Sequence, residues 1–186
     1  SPTSTLKLGS AGANQISLAF TIHTSTAKTN IQGTIDIDAN TALNNNLNFT
    51  NLTAAANVIS GTINNNAGVV TSSATTTTMG ATAVYNHVRD GGAVMSSIWD
   101  AASLCNITGV VATMPTAITG QSYGKFTYNC PGQTGPLNMT ISSATTFKGD
   151  FTMVSTGSPT AQLTNLTSAA AGSLTFGASA AAPADF

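Results

Sequence analysis

Residues 15–23 read Gln-Ile-Ser-Leu-Ala-Phe-Thr-Ile-His, with Ile16, Leu18, Phe20 and Ile22 on one side of the chain and Ser17, Ala19, Thr21 and His23 on the other. Successive side chains of a strand point to opposite faces, so a two-residue apolar period predicts a strand with one face buried. A polar, Gly-containing segment, residues 1–14, precedes it and is expected to be a flexible leader. From residue 15 to residue 186 the length suits a single domain.

The same period recurs along the chain. Ile31, Gly33, Ile35 and Ile37 alternate with Gln32, Thr34, Asp36 and Asp38. Phe126 and Tyr128, then Leu137, Met139 and Ile141, then Phe147, Phe151 and Met153, repeat it. Turn-rich breaks such as Asn64-Asn65-Asn66-Ala67-Gly68 separate the runs. Short strands at this spacing predict an antiparallel β-sandwich of the jelly-roll or immunoglobulin type. No repeat of fixed length is present, which argues against a β-solenoid. Over residues 93–105 the period changes: Val94, Ile98, Ala102 and Cys105 fall at helical spacing, which predicts one short helix carrying the only Trp, Trp99, into the core.

Charge is nearly absent. Five Lys or Arg and six Asp are the only charged residues among 186, and there is no Glu. Thr, Ala, Ser and Asn together supply 96 positions, over half the chain. A formal net charge of −1 gives no basic patch for nucleic acid or an anionic membrane. No apolar run is long enough to span a bilayer as a helix. Such a surface of uncharged hydrogen-bonding groups suits an extracellular protein that meets other proteins, glycans or solids. In that compartment Cys105 and Cys130 are expected to form a disulfide.

Chemistry-bearing patterns are few. Asp36, Asp38 and Asn40 place oxygens at alternate positions, as the first ligands of a calcium loop do, but Thr41 and Leu47 stand where an EF-hand needs Gly and Glu. His87 and Asp90 lie three apart without a nucleophile elbow, so no catalytic residue is assigned. No cofactor is expected. Sequons for N-glycosylation occur at Asn48, Asn51, Asn106, Asn138 and Asn165. Their number matches chance for a chain so rich in Asn, Ser and Thr.

The leader, the strand of Ile16, Leu18, Phe20 and Ile22, the Thr/Ser/Asn/Ala richness, the low charge, the single cysteine pair and the subunit size together make the chain resemble the pilus and thread subunits of bacterial and archaeal cell surfaces. Those subunits assemble by donor-strand complementation. The resemblance implies a non-enzymatic structural subunit of an extracellular filament, whose residues 15–23 insert into a neighbour and whose partners are copies of itself in a helical homopolymer. An edge strand with an apolar stripe is the physical means for such an exchange. The alternative is a monomeric secreted glycan-binding or adhesin-type sandwich, with Tyr85, Trp99, Tyr123 and Tyr128 as stacking side chains.

Overall fold

The computed structural model describes residues 4–9, 19–21, 29–38, 45–49, 57–141, 145–157, 163–168 and 175–176. Among these, every regular element is a strand and every strand pairing is parallel. The architecture is therefore a β-solenoid and not the expected antiparallel sandwich. Parallel neighbours cannot be joined by a tight hairpin, so each strand returns to the next rung through a whole coil of chain.

One long sheet runs the length of the solenoid. It stacks β1 (Thr5–Leu8), β4 (Thr34–Ile37), β7 (Thr62–Asn65), β10 (Val84–His87), β12 (Leu104–Ile107), β14 (Lys125–Asn129) and β17 (Phe151–Ser155) in that order. A second face begins with β2 (Ala19–Thr21), β5 (Asn46–Asn48) and β8 (Val69–Thr71), and its role is taken later by β15 (Leu137–Ile141) and β18 (Leu163–Ser168). Between them this face thins to the single bridge Ala93–Thr116. The third face holds β3 (Thr29–Ile31), β6 (Asn57–Ile59), β9 (Thr77–Met79) and β11 (Ile98–Trp99). It continues through β13 (Ser122–Tyr123), which packs beside β11, to β16 (Thr146–Phe147) and β19 (Thr175–Phe176).

Paired residues on the long sheet are 29, 28, 22, 20, 21 and 25 positions apart, rung by rung. Coils of unequal length leave no fixed sequence period, which is why the absence of one did not exclude a solenoid. The strands from β4 to β14 are each entered through a small residue, Gly33, Gly61, Ala83, Ser103 or Gly124, which keeps the rungs close and in register. Thr34, Thr62, Val84, Leu104 and Lys125 donate their N–H to the carbonyls of Ser4, Gly33, Gly61, Ala83 and Ser103 one rung before. The approach there is close: a Cβ on Gly61 would lie 2.0 Å from the Gly33 carbonyl oxygen.

Alternation along each strand sends one set of side chains inward. Two inward columns follow from the register, Leu6–Ile35–Ile63–Tyr85–Cys105–Phe126–Phe151 and Leu8–Ile37–Asn65–His87–Ile107–Tyr128–Met153. The core is aliphatic at the first rungs and aromatic at the last. Trp99 meets Tyr85 and Tyr123 with centroids 6.4 and 5.3 Å apart, and Tyr123, Phe126, Phe147 and Phe151 continue the cluster. Edge-to-face and offset ring contacts of this kind add to simple area burial.

Three further expectations are corrected. The helix over 93–105 is absent: Ala93 makes a bridge, Ile98–Trp99 is β11, and Leu104–Ile107 is β12. Asp100 turns the chain between the two strands, its carboxylate accepting from Ala102 N–H at 2.9 Å and its carbonyl from Ser103 N–H at 3.1 Å. Trp99 is fully buried as expected, but on a strand. Cys105 and Cys130 are both buried free thiols, not a disulfide. Cys105 pairs with Phe126, and Cys130 lies four residues further on, roughly 13 Å along an extended strand, whereas a bridge needs Cα atoms within about 7 Å. Finally, the donor strand expected over 15–23 is not seen as one: Ala19–Thr21, including Phe20, pairs with Asn46–Asn48 of its own chain. Ile16, Leu18 and Ile22 lie outside the described residues. Within the expected leader, Thr5–Leu8 forms the first strand of the long sheet.

Candidate functional site

The outward column of the long sheet runs Lys7–Asp36–Asn64–Asn86–Asn106–Thr127–Thr152. Rungs of a sheet are about 4.8 Å apart, the spacing at which one side-chain amide reaches the next. Asn106 Nδ2 donates to Asn86 Oδ1 at 3.1 Å, Asn86 Nδ2 to Asn64 Oδ1 at 2.7 Å, and Asn64 Nδ2 to Asp36 Oδ1. All three donors point toward the first rungs, and the chain of amides ends on a carboxylate that can only accept. Stacked amides of like kind are a known stabiliser of parallel rungs.

A second polar chain lies inside. Asn65 Nδ2 donates to Tyr85 Oη at 3.1 Å, Tyr85 Oη is 3.2 Å from His87 Nδ1, and His87 Nε2 is 2.7 Å from the Gly91 carbonyl oxygen. A carbonyl accepts only, so His87 carries its proton on Nε2 and accepts a hydrogen bond from the Tyr85 hydroxyl at Nδ1. Both side chains are fully buried. Burial, together with the nearby Arg89 charge, lowers the His87 pKa to about 4 against the pull of the Gly91 hydrogen bond. Burial likewise raises the Tyr85, Tyr123 and Tyr128 hydroxyls and the Cys105 and Cys130 thiols.

Around this chain the corners of successive coils are bound together. Asp90 Oδ1 accepts from the N–H groups of Val111, Ala112 and Thr113 at 2.8, 3.0 and 2.8 Å. What burial there is pushes its carboxyl up, yet those N–H groups together outweigh it and hold the pKa below the ordinary value. Arg89 Nη1 donates to the carbonyls of Ala67 and Gly68 at 2.9 and 2.6 Å. His87 and Asp90 thus face different partners and form no acid–base pair.

A buried Gln side chain does similar work at the third face. Gln121 Oε1 accepts from Trp99 Nε1 at 3.0 Å, and Gln121 Nε2 donates to the Ala117 carbonyl at 2.7 Å. The latter bond holds Ala117 at φ 60°, a left-handed conformation costly for a residue with a Cβ. Lys148 Nζ donates to the Trp99 carbonyl.

The sequence-derived candidates are scattered. Asp36 is in the outward amide column, Asp38 is paired with Lys7 at 3.3 Å, and Asn40 lies outside the described residues. Among the described residues no three His, Cys, Asp or Glu side chains gather at one point. Of the sequons, Asn48 is half-buried in β5, Asn106 is committed to the amide column, Asn138 is exposed in β15, Asn165 lies in β18, and Asn51 is outside the described residues. Tyr85, Trp99, Tyr123 and Tyr128 are each 0% exposed, so none can stack on a sugar. The amide column went unseen because its members are 28, 22 and 20 residues apart. Its signal was the pair Gly33-Thr34-Ile35-Asp36 and Gly61-Thr62-Ile63-Asn64. No protein-family model, curated protein or solved structure matches the chain.

Proposed function

We propose that the chain is a non-enzymatic structural protein of an extracellular surface filament, in which the solenoid acts as a stiff rod. The observation that carries this reading is what the reactive side chains are used for. His87, Tyr85, Asp90 and Cys130 are the groups from which a base, acid or nucleophile would be drawn. Tyr85 is bonded by Asn65, Asp90 by the Val111 N–H and Cys130 to the Ile107 carbonyl, each across two coils. His87 is held within its own coil by Tyr85 and the Gly91 carbonyl. A seven-stranded ladder spans six gaps, roughly 29 Å at 4.8 Å each, and its cohesion comes from main-chain bonds and stacked columns. The sparsely charged composition agrees with a protein packed among neighbours. Assembly by donor strand is not retained, because a solenoid lacks the open sandwich groove that such a strand fills.

Immunogold labelling of the native source tests the proposal. An antibody to the chain is expected to decorate surface filaments, and filaments purified from that source are expected to contain the chain as a major component. Antigen confined to the cell interior overturns the reading.

A further inference from the structure

Both ends of the long sheet expose side chains that belong to its inward columns. At the first rung Leu6 is 39% exposed, although its column-mates Ile35, Ile63 and Tyr85 are buried. At the last rung Met153 is 41% exposed, although Tyr128 and Ile107 in the same column are buried. Val154 beside it is 60% exposed. Among the described residues β1 and β17 each pair on one side only. An edge strand with apolar side chains presents its outer N–H and C=O groups as a template for another strand.

We infer that β17 of one copy pairs in parallel with β1 of a second copy, continuing the long sheet from molecule to molecule. The inference rests on the filament reading and names its contact. The two edges match. With Phe151 beside Leu6 and Met153 beside Leu8, both inward columns pass through the junction without a break, and Thr152 meets Lys7 in the outward column. A slip of one residue would put Leu6 and Leu8 on the outward face, so the pattern fixes the register to an even step. Charge agrees as well: exposed Asp150 leads into β17 on the outward side, diagonal to Lys7 of the next copy, whose side chain is 61% exposed beside its own Asp38 at 3.3 Å. The contact joins two different surfaces and does not close on itself, so it propagates as a fibre.

Two single variants test it, Lys7→Cys and Thr152→Cys, both at exposed positions. Mixed under mild oxidation, they are expected to give a disulfide dimer containing one of each, while either variant alone stays monomeric on a non-reducing gel. The native thiols are buried and do not interfere. Equal dimer formation by each variant alone, or none in the mixture, overturns the inference. As a second measurement, light scattering of the unmodified chain is expected to show multimers that grow with concentration. Leu6→Lys or Met153→Lys is expected to abolish them while the chain still unfolds cooperatively as a monomer. An unmodified chain that stays monomeric throughout also overturns it. The two readings fail separately: surface filaments without the mixed cross-link leave the function and remove this contact, whereas a mixed cross-link in a protein confined to the cell interior does the reverse.

Discussion

Asn86 donates its side-chain N–H to Asn64 Oδ1 across 2.7 Å, from one rung of the long sheet to the rung before it. It also accepts from Asn106 at 3.1 Å, so one residue closes two gaps of the outward column. Asn86→Ala removes both bonds and leaves half-buried amides on either side. At about 1 kcal/mol for each bond the expected loss is roughly 2 kcal/mol, read as a lower urea midpoint with an unchanged slope. A loss under about 0.3 kcal/mol would mean that the column is decoration.

Acid should weaken the fold through His87. Its pKa is about 4 when folded against an ordinary 6.5, so the unfolded chain binds the proton more readily between those values. The neutral imidazole's contribution is full above pH 6.5, declines as the pH falls toward 4, and is spent below it. The loss over that range is on the order of 3 kcal/mol. Urea titrations at pH 7 and pH 4.5 should show that decline in the unmodified chain and a much shallower one in His87→Asn. Parallel slopes for the two proteins would refute it.

How far the sequence could be read follows from what each element depends on. Alternation is local, so Ile35/Ile37, Phe126/Tyr128 and Phe147 were visible as inward residues, and all are buried. Pairing partners are not local. Period two is the same for antiparallel and parallel strands, and only the match of Gly33-Thr34-Ile35 to Gly61-Thr62-Ile63 distinguishes a stacked coil from a returning hairpin. Helical spacing at Val94, Ile98, Ala102 and Cys105 was accidental. The Asp100 turn separates Ile98 and Ala102, both outside, and the buried Val94, beside the Ala93 bridge, belongs to a different segment from the buried Cys105 of β12. For the candidate site the inner chain of Asn65, Tyr85 and His87 needed the register of β7 with β10, which no local pattern encodes.

Thiol chemistry should follow the strand geometry. Cys105 is sealed between Tyr85 and Phe126 in its column, and Cys130 Sγ donates to the Ile107 carbonyl at 3.4 Å. Burial raises both thiols, which slows any reaction that needs the thiolate. Alkylation of the folded chain should therefore be slow, alkylation in denaturant should add two groups, and a reductant should leave the melting temperature unchanged. Mass analysis finding the two residues joined in protein from the native source would contradict the structure.

Trp99 is the last test, because it reports on the aromatic half of the core and on one corner at once. It is fully buried, touches Tyr85 and Tyr123 by ring contact, and donates Nε1–H to Gln121 Oε1 at 3.0 Å. Gln121 in turn holds the Ala117 carbonyl, so losing the indole leaves a cavity and removes one partner from the amide that secures a strained residue. Trp99→Ala should cost about 3–5 kcal/mol, as other large-to-small core changes do. Trp99→Phe separates the two contributions: it keeps most of the ring volume and loses the hydrogen bond, so its cost should fall to about 1–3 kcal/mol. If Trp99→Phe costs as much as Trp99→Ala, the bond to Gln121 dominates, and ring packing contributes little to joining β11 to the coil beyond it.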